Sequence, residues 1–156
     1  MDYIIRKVDY EEIDEAFTLI WNTFSEFVAP DYSPEGINTF RREFIESKEF
    51  KERFNSGKQI MYGAYSEEKL LGVISVSDKG NISCIFVDKE YHRRGIASML
   101  FRHIVSILKE KRIETIALKA SSYALPFYHA IGFKDLDKQQ DYNGILYTPM
   151  ELKILT

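Results

Sequence analysis

The segment that most restricts what this chain can fold into is Cys84-Ile85-Phe86-Val87-Asp88-Lys89-Glu90-Tyr91-His92-Arg93-Arg94-Gly95-Ile96-Ala97-Ser98. An apolar stretch breaks at charged residues, passes a glycine and continues at helical spacing, which predicts a buried strand feeding a helix through a short turn. The first N–H groups of a helix lack intrahelical partners, and its N-terminus carries about half a positive charge, so such a turn can bind phosphate. Gly95 permits close backbone approach, and Ala97 and Ser98 keep the first turn free of bulk. Arg93 and Arg94, with His92 beside them, add cationic side chains; the planar fork of arginine suits phosphate geometry. A ligand carrying a diphosphate fits this turn. On these residues alone, a solvated surface turn explains the segment equally well. No G-x-x-x-x-G-K-[ST] occurs, and no G-x-G-x-x-G follows a strand, which argues against a P-loop enzyme and a dinucleotide fold.

A length of 156 residues predicts one domain, residues 1–156, long enough to bury about two-thirds of its unfolded surface. The 11 Phe and 10 Tyr can build a sizeable core or a broad apolar cleft. A net charge of −3 gives no support to nucleic acid or anionic membrane as a partner. No apolar run approaches the ~20 residues that cross a bilayer. The single Cys84 cannot form an internal disulfide, and Met1-Asp2-Tyr3-Ile4-Ile5-Arg6 lacks the pattern of a secretion signal, so a cytoplasmic protein is expected. His92, His103 and His129 with one cysteine make no recognisable ligand set, and no metal is expected.

No repeat or linker interrupts the chain. Tyr3 to Lys7 reads as a strand, and Asp9 with Glu12 as a capping-box-like helix start. Ile13, Ala16, Phe17, Ile20, Phe24, Phe27 and Val28 then fall on one helical face. Ser33-Pro34 begins a second helix carrying Ile37, Phe40, Phe44 and Ile45; a third, around Glu49 to Phe54, ends near Ser56-Gly57. Gln59 to Tyr65, Leu70 to Ser77 and Asn81 to Val87 predict an antiparallel meander. The helix beginning near Arg94 has Ile96, Leu100, Ile104, Ile107 and Leu108 on one face, and leads to a strand Thr115 to Lys119 expected parallel to Asn81 to Val87. A short helix before Gly132 and strands at Phe133 to Asp137 and Tyr147 to Ile154 complete an α+β fold with a mixed sheet.

Two motifs carry a resemblance to the GNAT acetyltransferases. His92-Arg93-Arg94-Gly95-Ile96-Ala97 is similar to the family's Q/R-x-x-G-x-G/A, with His92 in the place of Gln or Arg. Ser121-Ser122-Tyr123-Ala124-Leu125-Pro126-Phe127-Tyr128-His129-Ala130-Ile131-Gly132-Phe133 resembles N-x-x-A-x-x-L-Y-x-x-x-G-F, with Ser121 in the place of Asn. The resemblance covers residues 3–150 and implies a three-layer α/β/α arrangement around a mixed, mostly antiparallel sheet. It also implies acetyl-CoA as co-substrate. Its diphosphate would lie on His92, Arg93, Arg94, Gly95, Ile96, Ala97 and Ser98, with Ser121 a further contact. Two central parallel strands splay apart in the family, and pantetheine pairs in the opening with main chain that here belongs to Phe86 and Val87.

The family resemblance also implies a catalytic role for Tyr128, whose phenol would protonate the departing CoA thiolate. From the residues alone, Tyr128 reads as readily as packing beside the i,i+4 pair Phe127 and Ile131. The sequence does not identify a base for the acceptor ammonium: Asp31, Glu35, Glu43, Glu46 and the group Glu11-Glu12-Asp14-Glu15 are candidates, each also readable as a solvated helix face. Cys84 reads as a small buried residue. The acceptor pocket is expected between the first two helices, their loop Phe27 to Ser33, and Tyr142-Asn143-Gly144-Ile145, with Phe24, Phe27, Tyr32 and Phe40 at its mouth. The leading expectation is acetyl transfer to a primary amine of a small molecule. Transfer to a protein or peptide and a non-catalytic acyl-CoA-binding module are the alternatives, and a homodimer is left open.

Overall fold

The computed structural model describes residues 2–155. Strands β1 (Ile4–Lys7), β2 (Gln59–Ser66), β3 (Lys69–Ser77), β4 (Asn81–Val87), β5 (Thr115–Ala120), β6 (Lys134–Asp135), β7 (Gln140–Tyr142) and β8 (Ile145–Lys153) form a sheet in the order β1-β2-β3-β4-β5-β8-β6, with β7 paired to β8. Every pairing is antiparallel except β4 with β5. Helices α1 (Ile13–Phe27), α2 (Pro34–Phe40) and α3 (Lys48–Ser56) precede β2, α4 (Ile96–Glu110) connects β4 to β5, and α5 (Leu125–Ala130) follows β5.

The layering follows from the burial pattern. Ile13, Ala16, Phe17 and Ile20 of α1 pack with Phe54 of α3 against Met61, Val73 and Cys84 on one face of the sheet. Ile96, Leu100, Ile104 and Leu108 of α4 pack on the other face with Ile74, Ile82, Ile116 and Leu118. β3 runs between both layers, so everything after Lys69 in it is buried, as a strand covered on both faces must be. The expected three-layer α+β architecture is therefore the observed one.

Local signals act as their chemistry requires. Glu12 Oε1 accepts the N–H of Asp9 at 3.2 Å and also receives Arg6 at 3.0 Å. Ser33 Oγ accepts the N–H of Gly36 at 3.2 Å, with Pro34 at the first helical position. Gly57 ends α3 in the left-handed region at φ 90°.

Two differences from the sequence reading both shape the cavity. The second helix does not run evenly to Ile45: α2 stops at Phe40 and a single π turn spans Arg41–Ile45. The widened turn brings residues four apart nearly in line, and Phe40 and Phe44 stack at 5.0 Å with 10° between their planes. The strand β7 was also not expected. Asn143 (φ 48°) and Gly144 (φ 89°) form the two-residue turn that joins it to β8, and both central positions need positive φ in such a turn.

Candidate active site

The parallel strands β4 and β5 are paired only through Asn81 with Ala117 and Ile82 with Leu118. Beyond that point β4 runs on to Val87 and β5 to Ala120 without joining. A bulge at Ser83 explains the divergence: Val76 pairs with Ile82 and Ser75 with Cys84, leaving Ser83 unmatched. Bulges bend a strand and raise its twist. The Ser83 hydroxyl is held at 2.9 Å from Ser75 Oγ and 3.1 Å from Gln59 Oε1, which fixes the bend in place. A cavity of about 830 Å³ opens in the gap, and β4 lines it from Ile82 through Phe86 to Val87.

At the end of β4 the chain turns into α4. Arg93 (φ 64°) and Gly95 (φ 77°) both take left-handed conformations, and Gly95 caps the helix without a side chain. A Cβ built on Gly95 would meet no heavy atom within 4 Å, so open space lies over the first turn of α4. The N–H groups of Ile96, Ala97 and Ser98 begin the helix beside that space, and these three residues line the cavity. Bare main chain at a helix N-terminus can hold an anion. Arg93 also lines the cavity, whereas Arg94 lies over the Tyr91 ring at 5.2 Å, which Lys69 covers at the same distance. The His92 ring turns inward. Its Nε2 lies 2.7 Å from the Val87 carbonyl oxygen, which can only accept, so Nε2 carries the hydrogen. The ring also packs on Phe27 at 4.9 Å, tying the turn to α1.

Tyr128 reaches the cavity from α5, which is started by Ser121: its hydroxyl accepts the N–H of Ala124 at 3.2 Å. The Tyr128 ring meets Phe127 and Phe133 edge-on at 5.5 and 5.4 Å. Its side chain is buried and the residue lines the cavity, and its hydroxyl makes no hydrogen bond to the described residues. Burial, with the Cys84 thiol nearby, raises the phenol above its ordinary value, so it is protonated throughout the neutral range. Packing and proton donation are compatible, because the ring does the first and the free hydroxyl is available for the second. Cys84 lies in the same wall with its thiol pushed up to about 12 by burial, which makes it unreactive.

Opposite this wall, α1, the loop after it, α2 and the β7–β8 turn come together as expected. Phe24 stacks on Phe40 at 3.9 Å, Tyr32 meets Phe24 edge-on at 5.6 Å, and Phe27 lies beside the Tyr123 ring. The β7–β8 turn is clamped on α2. Thr39 Oγ1 donates to the Asn143 carbonyl at 2.7 Å, Tyr32 donates to the Leu146 carbonyl at 3.2 Å, and Gly36 touches Gly144 so closely that a Cβ on Gly36 would lie 2.2 Å from the Gly144 oxygen. Burial pushes the Tyr32 phenol up to about 12.

None of the acidic candidates for a base lines the cavity. Glu43 accepts the Tyr142 hydroxyl at 2.9 Å from behind, Asp31 accepts Ser122 at 3.3 Å, and Asp14 pairs with Lys51. The cationic group the sequence reading missed is Lys119, which lines the cavity and lies over the Tyr147 ring at 5.1 Å. Strand alternation alone could have placed it, once Ile116 and Leu118 are assigned to the α4 side. His103 and His129 lie elsewhere, on Tyr62 and Asp135, and the described residues hold no group of metal-ligating side chains. No described helix is long and apolar enough to cross a membrane.

Comparison with known proteins agrees with this geometry. The sequence model of the family described as "Acetyltransferase (GNAT) domain" matches residues 28–154. An uncharacterized N-acetyltransferase of Escherichia coli, YafP, is 30% identical over 109 residues, covering 70% of this chain and 66% of the relative, just under two thirds of its length. The crystal structure of the PaiA N-acetyltransferase from Thermoplasma acidophilum, a complex with coenzyme A, superposes with a TM-score of 0.78 at 26% identity, covering 98% of this chain and 99% of that one. A protein from Rhodopseudomonas palustris described as a GNAT acetyltransferase shares the fold, with a TM-score of 0.81 at 16% identity over 98% and 96% of the two chains. The splayed strands, the glycine turn and the family match lead to one conclusion: this chain belongs to the GNAT acetyltransferase family.

Proposed function

We propose that the protein transfers the acetyl group of acetyl-CoA to a primary amine of a small molecule, by direct attack while both substrates are bound. The observation that carries this reading is Tyr128, a residue lining the cavity where β4 and β5 part, with its hydroxyl unbonded to the described residues. In this scheme the diphosphate sits over Gly95 to Ser98 with Arg93 beside it, and Phe86 and Val87 border the pantetheine arm. The neutral amine nitrogen forms its bond to the thioester carbonyl carbon, the carbon–sulfur bond breaks, and the thiolate takes the Tyr128 proton. The phenol regains a proton as the amine nitrogen gives one up to water. Water is the natural acceptor, since none of the described residues that line the cavity is a carboxylate.

The clamp of the β7–β8 turn on α2 supports a small acceptor over a protein surface, because it holds that wall of the cavity together through Thr39 and Tyr32. The test is release of free CoA thiol from acetyl-CoA against amino acids, monoamines, polyamines, aminoglycosides and lysine peptides. Turnover of a small amine is expected. Turnover of peptides alone would overturn the acceptor class, and tight CoA binding with no turnover of any amine would leave a binding module.

A further inference from the structure

The acceptor side of the cavity has an unusual charge pattern for a site that receives an amine. Phe24, Phe27, Phe40, Tyr142 and Tyr147 line it, none of the described lining residues is a carboxylate, and Lys119, itself exposed, joins Arg93 as a cationic side chain of the cavity. The register explains why Lys119 belongs to that wall. It lies directly opposite Pro149 in the β5–β8 pairing, which places Tyr147 diagonally on the same face, and the ammonium rests 5.1 Å from the Tyr147 ring. Glu43 accepts the hydroxyl of the lining residue Tyr142 at 2.9 Å and Asp31 accepts that of Ser122 at 3.3 Å, and neither carboxylate residue lines the cavity.

These facts constrain the acceptor. Its reacting nitrogen must be neutral at the moment of attack, so that group needs no counter-ion. A second ammonium would be different: beside the exposed Lys119 ammonium and with no carboxylate among the described lining residues to pair with, it would have only the ring faces to offset its desolvation and the like-charge repulsion. A flat apolar body pays no such cost and gains contact with the aromatic rings. Resting on the acetyl-transfer reading above, we infer that the acceptor is a monoamine with an aromatic body, and that Lys119 selects against diamines and polyamines.

Trp21 supplies a readout independent of chemistry. It is the single tryptophan, and it stacks on Phe24 at 5.7 Å and Phe40 at 6.5 Å, directly behind the acceptor wall. Phenethylamine and 1,5-diaminopentane are matched probes, and each is titrated against the CoA-bound protein by Trp21 emission and against acetyl-CoA by thiol release. Wild type should bind and turn over phenethylamine with at least about tenfold preference, and Lys119→Glu should shift that preference about tenfold toward the diamine. Lys119→Met, which keeps the length and loses the charge, should fall between the two. Preference of the wild type for the diamine, an unchanged ratio in Lys119→Glu, or absence of saturable phenethylamine binding would each overturn the inference. Saturable phenethylamine binding with the stated preference but no thiol release would sustain it while sinking the transfer reading.

Discussion

Along the β4–α4 wall of the cavity, recognition is offered by main chain: a bent strand edge, a glycine at φ 77°, and the first N–H groups of a helix. Across from it, α1, α2 and the β7–β8 turn offer side chains, mostly aromatic, drawn from positions more than a hundred residues apart, as the Thr39 to Asn143 and Tyr32 to Leu146 hydrogen bonds make plain. The two walls therefore tolerate change differently. A main-chain cradle is insensitive to most side-chain substitutions but is lost when its glycine goes. A side-chain wall can be retuned one residue at a time.

The sharpest break of that comparison is Gly95→Val. The added side chain would enter the space over the first turn of α4, where a Cβ meets nothing, and β-branched residues resist φ 77°. We expect the rise in melting temperature produced by CoA to vanish, while the protein still unfolds cooperatively at a cost of about 1–3 kcal/mol. An unchanged CoA shift would remove the turn from the cofactor site.

Next is Tyr128→Phe, which keeps the ring between Phe127 and Phe133 and deletes the hydroxyl. The kcat should fall by roughly 10²-fold or more with CoA affinity preserved, if the phenol is the proton donor. Equal turnover would assign Tyr128 to packing alone.

On the opposite wall, Gly36→Ala forces a Cβ against the Gly144 oxygen and should loosen the clamp between α2 and the β7–β8 turn. The expected cost is about 1–3 kcal/mol of stability, read by denaturant titration. The KM for the acceptor should rise while that for acetyl-CoA holds. A parallel rise in both constants would show that the walls are not independent.

The smallest effect concerns alkaline pH. The Cys84 thiol is raised from 9.0 to about 12 and Tyr65 from 10.0 to about 12, both chiefly by burial. Below about pH 9 both folded and unfolded forms keep these protons, and their contribution to stability is complete. As pH rises further the unfolded chain ionises first, so stability should decline from about pH 9 upward. Cys84→Ala should delay that onset by about one pH unit, toward the tyrosine range, in melting curves taken across this interval. An onset that does not move would mean that Cys84 is not the first group to titrate.

The sequence was informative wherever one local rule decided the outcome. The strand-to-helix turn at Gly95, the Ser33-Pro34 helix start, the meander of three strands and the parallel return to β5 all depend on neighbours within a few residues, or on a crossover that has one allowed hand. Even Asn143-Gly144 was a readable turn signal, overlooked because the strand before it has only three residues.

Tertiary structure alone decided the rest. The bulge at Ser83 is held by Ser75 and Gln59 from neighbouring strands, and no periodicity within β4 announces it. Tyr128 both packs its ring between Phe127 and Phe133 and lines the cavity, because α5 sets it at the border between core and gap. No acidic candidate lines the cavity, although α1, the loop after it and α2 all border it, since helix faces are assigned by burial and the charged face turned to water. Local chemistry thus determined which elements form and where an anion can sit. Which side chains face one another across the cavity depended on how those elements pack, a long-range property set by all the contacts together.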